Sequence, residues 1–220
     1  MAPHRILNGL QNLLTGIYDV AQVPQVHQFL LNDAGALPAA EAQRDTDEQL
    51  LVSEDAQGMA LGLYLDPKLL RRLGRADPQR ALHGGNLADF WTALEGVSHF
   101  VYLAWNARHD RAVSLHELEL QAEVDKYVCS TWLMLAQNPR RFPAELHRVL
   151  FERAHVDPRL AGERSGLYQR ANQGAARFCH RLAGSLRARG AQAQALASTE
   201  LRRFYRLTNA GKLHYIAGLG

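Results

Sequence analysis

Two stripes of apolar residues at helical spacing flank a short polar turn, and nothing else in the chain constrains the fold as much. The first runs through Leu87, Phe90, Trp91, Leu94, Val97, Val101 and Trp105, and the second through Leu115, Leu118, Ala122, Tyr127, Trp132 and Leu133. Recurrence at three and four residues places each set on one face of an α-helix. The residues between them, Ala107 to Arg111, leave room only for a reversal. Helices over about 87–106 and 114–137 are therefore predicted to run antiparallel as neighbours. Asn86 is the predicted cap of the first, and Ser114 with Glu117 forms a capping box that opens the second.

The rest of the chain is read as packing around this pair. Ile6, Leu7, Leu10, Leu13, Leu14, Ile17 and Tyr18 form the apolar face of an N-terminal helix, with Pro3 near its start. The segment from Val20 to Leu31 is ambiguous between strand and helix. Ala34 to Glu48 has no periodicity and reads as a surface connection. Gln49 to Glu54 and Met59 to Leu65 flank a glycine-containing turn and predict a β-hairpin. A lone hairpin is marginal in water, so it is expected to pack on helices or to pair with the 20–31 segment. Asp66-Pro67 opens a further helix through Leu69, Leu70 and Leu73. Later helices are expected over 144–154, 167–186 and from Ser198 or Thr199 through Ile216, with a turn at Asp157-Pro158, a small-residue linker over 190–197 and an interruption at Gly211. The fold class expected is mainly α: a helical bundle with a central antiparallel helix pair and a small β-hairpin. It is read as a single domain over 1–220, with a sub-boundary near 138–143.

Composition narrows the functional classes. Apolar residues make up 47% of the 220 and charged residues 21%, proportions of a folded globular chain rather than a disordered one. Two cysteines, Cys129 and Cys179, are too few for a disulfide framework or a four-thiolate zinc site. Charge-free stretches such as Ile6 to Tyr18 are too short to span a bilayer, so no membrane association and a cytoplasmic location are expected.

Charge is unevenly distributed. Residues 1–138 carry 10 Lys/Arg against 17 Asp/Glu, a net −7, and residues 139–220 carry 15 against 5, a net +10. Fourteen of the fifteen later cations are arginine, Lys212 being the exception. Arg170, Arg177 and Arg181 share one side of a helix, and Arg202, Arg203 and Arg206 cluster beside Phe204 and Tyr205. Guanidinium forks suit phosphate and carboxylate oxygens. The leading expectation is a non-catalytic binding or accessory protein that engages nucleic acid or an acidic protein through this arginine-rich face. The same charges could instead pair internally, or across the subunits of a homo-oligomer.

The helix pair carries a second pattern. Glu95 and His99 are four residues apart on the first helix, and Glu119 and Glu123 on the second, with His116 three residues before Glu119. With the turn centred near residue 110, His99 comes level with Gln121, between Glu119 and Glu123, and Glu95 with Asp125 and Lys126. An imidazole and carboxylates meeting inside a helical bundle can hold a divalent metal. Glu95, His99, Glu119 and Glu123 are thus the candidate ligands of a metal-dependent enzyme. The Glu-x-x-x-His spacing departs from the usual Glu-x-x-His pair, and a buried Glu95–Lys126 network or a solvated face is the competing reading. Two carboxylates at i, i+4 repel by a few tenths of a kcal/mol, which a cation, a shared proton or solvent would relieve. No nucleophile elbow, phosphate loop or dinucleotide fingerprint is present. Cys179 and His180 are adjacent on a helix, so their side chains diverge by about 100°.

Overall fold

The computed structural model describes residues 3–31, 47–55, 58–152, 163–187 and 191–219. The architecture is mainly α with a small mixed sheet. In chain order the described elements are α1 (Pro3–Tyr18), a 3-10 turn (Val26–Phe29), β1 (Leu30–Leu31), β2 (Glu48–Asp55), β3 (Gly58–Leu65), α2 (Pro67–Arg75), α3 (Leu87–Ala107), α4 (Leu115–Gln137), α5 (Leu146–Phe151), α6 (Glu163–Arg187), α7 (Ala191–Arg206) and α8 (Asn209–Ala217). The chain divides into two compact units: Met1–Thr15 with Val20–Arg111, and Gly16–Asp19 with Ala112–Gly220. Residues 34–46 of the surface connection expected over 34–48, the hairpin tip at 56–57 and the turn at Asp157-Pro158 lie outside the described residues, while Glu48 is the first residue of β2.

In the first unit the hairpin pairs from Glu48 opposite Leu65 to Asp55 opposite Gly58. The ambiguous 20–31 segment resolves into both of its readings, a 3-10 turn followed by a two-residue strand. That strand, β1, runs parallel to β3 with Leu30 beside Leu63 and Leu31 beside Tyr64, giving the order β1-β3-β2. Leu63 and Leu65 are buried, and α3 packs across β2 and β3. The expected cap on α2 is present: the Asp66 carboxylate accepts from the Lys68 backbone N–H, and Pro67 occupies the first turn. The Arg72 guanidinium then forks onto Asp89 at 2.8–3.1 Å, joining α2 to the first turn of α3. Asn86 does not cap α3 as expected. Its carbonyl oxygen accepts from His83 N–H, and its amide donates to Ala76 O and Ala81 O, so the side chain ties the preceding loop together.

In the second unit α4 packs against α5 and α6, and α6 in turn packs against α7 and α8. Ser114 caps α4, its hydroxyl accepting from Glu117 N–H at 3.2 Å. Phe178 stacks on Phe204 at 3.9 Å, fixing α6 against α7. Of the linker expected over 190–197, residues 191–197 are instead the start of α7. Its alanines and glutamines, read as flexible because they are small and polar, are strong helix formers. The cap expected at Ser198 or Thr199 is accordingly absent. Thr199 lies in mid-helix with its hydroxyl donating back to Ala195 O. The final helix is two helices, broken at residues 207–208 rather than at Gly211, and Thr208 caps the second by accepting from Gly211 N–H.

Both long helices are more enclosed than a single apolar stripe implies. Every residue from Gly96 to Tyr102 is buried on α3, and on α4 Glu117, Glu119, Gln121, Asp125, Lys126, Ser130 and Thr131 are buried alongside the apolar positions. Leu115, expected on the apolar side, is 41% exposed. Among the described residues no helix is long and apolar enough to cross a membrane.

Candidate functional site

In the first unit, α3 places Glu95 and His99 one turn apart on one face. His99 is buried, and Nδ1 of its ring stands 3.8 Å from Oε1 of Glu48. That separation is too long for a hydrogen bond, yet close enough for the carboxylate to bias which ring nitrogen carries the proton. A carboxylate beside Nδ1 favours the tautomer with the proton on that side, which leaves the Nε2 lone pair to act as a ligand or base.

The sequence reading missed Glu48, which it placed at the end of a surface connection. The residue is the first of β2 and is half-buried. Gly96 is what lets it approach. A Cβ on Gly96 would stand 2.8 Å from Glu48 Cγ and 2.8 Å from Leu63 Cδ1. Glycine in mid-helix costs about 1 kcal/mol relative to alanine, so its presence there signals the close approach of another chain segment. That was the available clue.

In the second unit, α4 carries Glu119 and Glu123. Glu119 is buried, and the Glu123 carboxylate accepts from Lys126 Nζ at 2.7 Å. His116 is turned to a different task, its Nδ1 lying 3.0 Å from Asn209 Oδ1 at the start of α8.

Below Glu123 lies a polar chain that the sequence reading did not foresee. Asp125 accepts from the Tyr18 hydroxyl and, at 2.7 Å, from Gln121 Nε2. The carbonyl of Gln121 in turn accepts from Lys212 Nζ. Lys212 is 0% exposed, with its ammonium 4.9 Å from the centre of the Phe204 ring, and Tyr18 stacks on Tyr205 at 4.1 Å. Burial, followed by the neighbouring Asp125 charge, pushes the Tyr18 hydroxyl well above its ordinary range, so it stays protonated as a donor. The one lysine among fourteen arginines was the hint. A compact ammonium fits a gap that a planar guanidinium does not.

The arginines separate into two groups. Arg181 donates to Glu200 and Tyr215 Oη, Arg202 to Ile17 O with Asp19 3.5 Å away, and Arg206 to Tyr18 O and Asp19 O. Arg203 lies over the Tyr215 ring at 5.8 Å. These side chains brace the unit. Arg170 and Arg177 are exposed on α6.

Both thiols, Cys129 and Cys179, are free and buried, and burial raises each well above the usual thiol range. Neither has the thiolate character a nucleophile needs. Comparison of the chain with protein-family models, curated proteins and solved structures finds no match.

Proposed function

We propose that the chain is a divalent-metal protein, with Glu95, His99 and Glu119 as the ligands. One observation carries this reading. Each of the three offers one ligand atom, and those atoms all lie within 4.8 Å of one another, so the group could hold a metal ion. Ligand bonds to zinc run at about 2.0–2.2 Å, and neighbouring ligand atoms of a tetrahedral ion stand about 3.5 Å apart. Closing the group around an ion from its 4.8 Å limit draws neighbouring ligand atoms together by up to about 1.3 Å, which side-chain torsions of the two glutamates supply. Two carboxylates and a neutral imidazole cancel a 2+ charge. The donor set of oxygen with one nitrogen suits manganese, iron or zinc. Three protein ligands leave a coordination position for water or substrate, as catalytic centres do. Glu48, beside His99, would orient the ring rather than ligate.

The test is elemental analysis of protein purified without chelator or affinity tag, followed by thermal melts with Mn²⁺, Fe²⁺ and Zn²⁺. Ligand at a thousandfold over Kd stabilises by about 4 kcal/mol. A rise in Tm that is lost in Glu95→Gln, His99→Gln and Glu119→Gln but kept in Glu123→Gln is the expected result. No bound metal and no shift with any of the three ions would overturn the reading.

The charge asymmetry supports a second reading: an accessory protein that engages nucleic acid or an acidic protein. With Arg181, Arg202 and Arg206 occupied internally, it narrows to the side of α6 that exposes Arg170 and Arg177. Binding of RNA, DNA and acidic proteins across a salt series tests it, and undetectable or salt-independent binding to all of them would remove it.

A further inference from the structure

A depression of about 470 Å³ opens on the second unit between α5, α6 and the end of α8. Its chemistry is divided. Arg177, His180 and Arg181 come from one face of α6, at spacings of three and four residues, and His147 comes from α5. Facing them, the end of α8 supplies Ile216, Ala217 and Leu219. Among the described residues no carboxylate lines it. Glu145 and Glu152 belong to the neighbouring depression, where Glu145 pairs with Arg148. Glu200 meets Arg181 but is not itself part of the lining.

The polar groups are held in place. His147 Nε2 lies 2.9 Å from Ala176 O; a carbonyl only accepts, so this nitrogen carries a proton. The His147 ring packs between Phe151, at 4.8 Å, and His180, at 5.6 Å. Arg181 is tethered to Glu200 and to Tyr215 Oη at 2.9 Å, which aligns its guanidinium along the rim. Arg177 is exposed. A helix C-terminus would ordinarily repel an anion. At the end of α8, however, Gly218 N–H donates to His214 O and Leu219 N–H to Ile216 O, both at 3.1 Å, so part of that carbonyl charge is satisfied.

We propose that this depression binds a small amphiphilic oxyanion, a phosphate or carboxylate head on an apolar body, with Arg177 and His180 on the head and Ile216, Ala217 and Leu219 on the body. Guanidinium forks and imidazole donors match oxyanion geometry, and the apolar wall gives a surface on which a ring or short chain loses water. The site narrows the arginine reading from a macromolecular surface to a pocket. It does not depend on the metal reading.

Isothermal titration calorimetry on the full chain tests the proposal, in EDTA and at 150 mM salt, with phenyl phosphate, benzoate, inorganic phosphate and benzyl alcohol as probes. Saturable binding of phenyl phosphate or benzoate, at least tenfold tighter than that of inorganic phosphate or benzyl alcohol, is the expected result. Which of the two aromatic anions binds more tightly identifies the head. Arg177→Gln and His180→Gln each weaken the tighter probe at least tenfold, whereas Arg148→Gln, in the adjoining depression, leaves it unchanged. Equal binding of inorganic phosphate, binding insensitive to Arg177→Gln and His180→Gln, or no saturable heat with any probe would overturn the proposal. Loss of nucleic-acid binding with the pocket intact removes only the macromolecular reading.

Discussion

Gly96 concentrates an argument that reaches well beyond one position. An alanine there would favour the helix by about 1 kcal/mol on propensity alone. The added Cβ would collide with Glu48 and with Leu63, which is wholly buried and has nowhere to move. Gly96→Ala is therefore expected to destabilise the protein by about 1–3 kcal/mol, the usual cost of overpacking, read as a lower urea midpoint. Cys129 and Cys179 give a second residue-scale prediction. Buried and held as thiols, neither reacts with a thiol-specific reagent in the native protein, and both react on denaturation. That Glu95 and His99 share one face of α3 was legible in the sequence, because helical spacing alone says so. Glu48 was not, because which strand residue meets which helix residue depends on tertiary register, and no local period encodes that.

Elements were legible in proportion to how much of their ending is local chemistry. Ser114 and Asp66 are side-chain caps whose signal sits within a few residues, and both act as expected. Asn86 has the right residue type for a cap but serves the loop before it, because His83 N–H takes the side-chain oxygen a cap would use while the amide ties Ala76 and Ala81. The end of α1 is the opposite case. Asp19 adopts a left-handed conformation with φ 54°, and the carbonyls of Tyr18 and Asp19 are taken by Arg206 from α7, far away in sequence. Arg206→Ala should lower stability by about 1–2 kcal/mol in urea denaturation. Arg206→Lys should recover only part of this, since a single ammonium cannot fork across two carbonyls. Three of the arginines that looked like a binding surface thus have structural partners, a distinction invisible without the positions of Asp19, Glu200 and Tyr215.

For the molecule as a whole, the buried titratable groups set a limit on the alkaline side. Cys129 and Cys179, with ordinary values of 9.0, and Tyr18, at 10.0, are all raised by burial in the folded chain. Above those ordinary values the unfolded chain releases protons that the folded chain keeps, so stability falls as pH rises. Below about pH 8 these groups contribute no slope. From about pH 9 upward each can remove up to about 1.4 kcal/mol per pH unit. The urea midpoint is expected to hold to pH 8 and drop by pH 10.5, and a Cys129→Ala/Cys179→Ala double variant should show a shallower decline. Fold class was readable at this scale because helical periodicity is repeated along most of the chain. The burial of polar residues along the middles of α3 and α4 was not, since these residues look solvent-facing until their partners are known.

The ammonium of Lys212 reaches Asp125 through the amide of Gln121, so the last helix is held by a charge as well as by apolar contact. Peeling that helix away would leave the buried Gln121 carbonyl without its donor and take a positive charge from near the buried Asp125, at a cost of about 1–3 kcal/mol. Fraying from this end is thereby made all-or-none. The helix acts as a latch, and a protease that trims it should release the rest of its unit at once instead of nibbling inward.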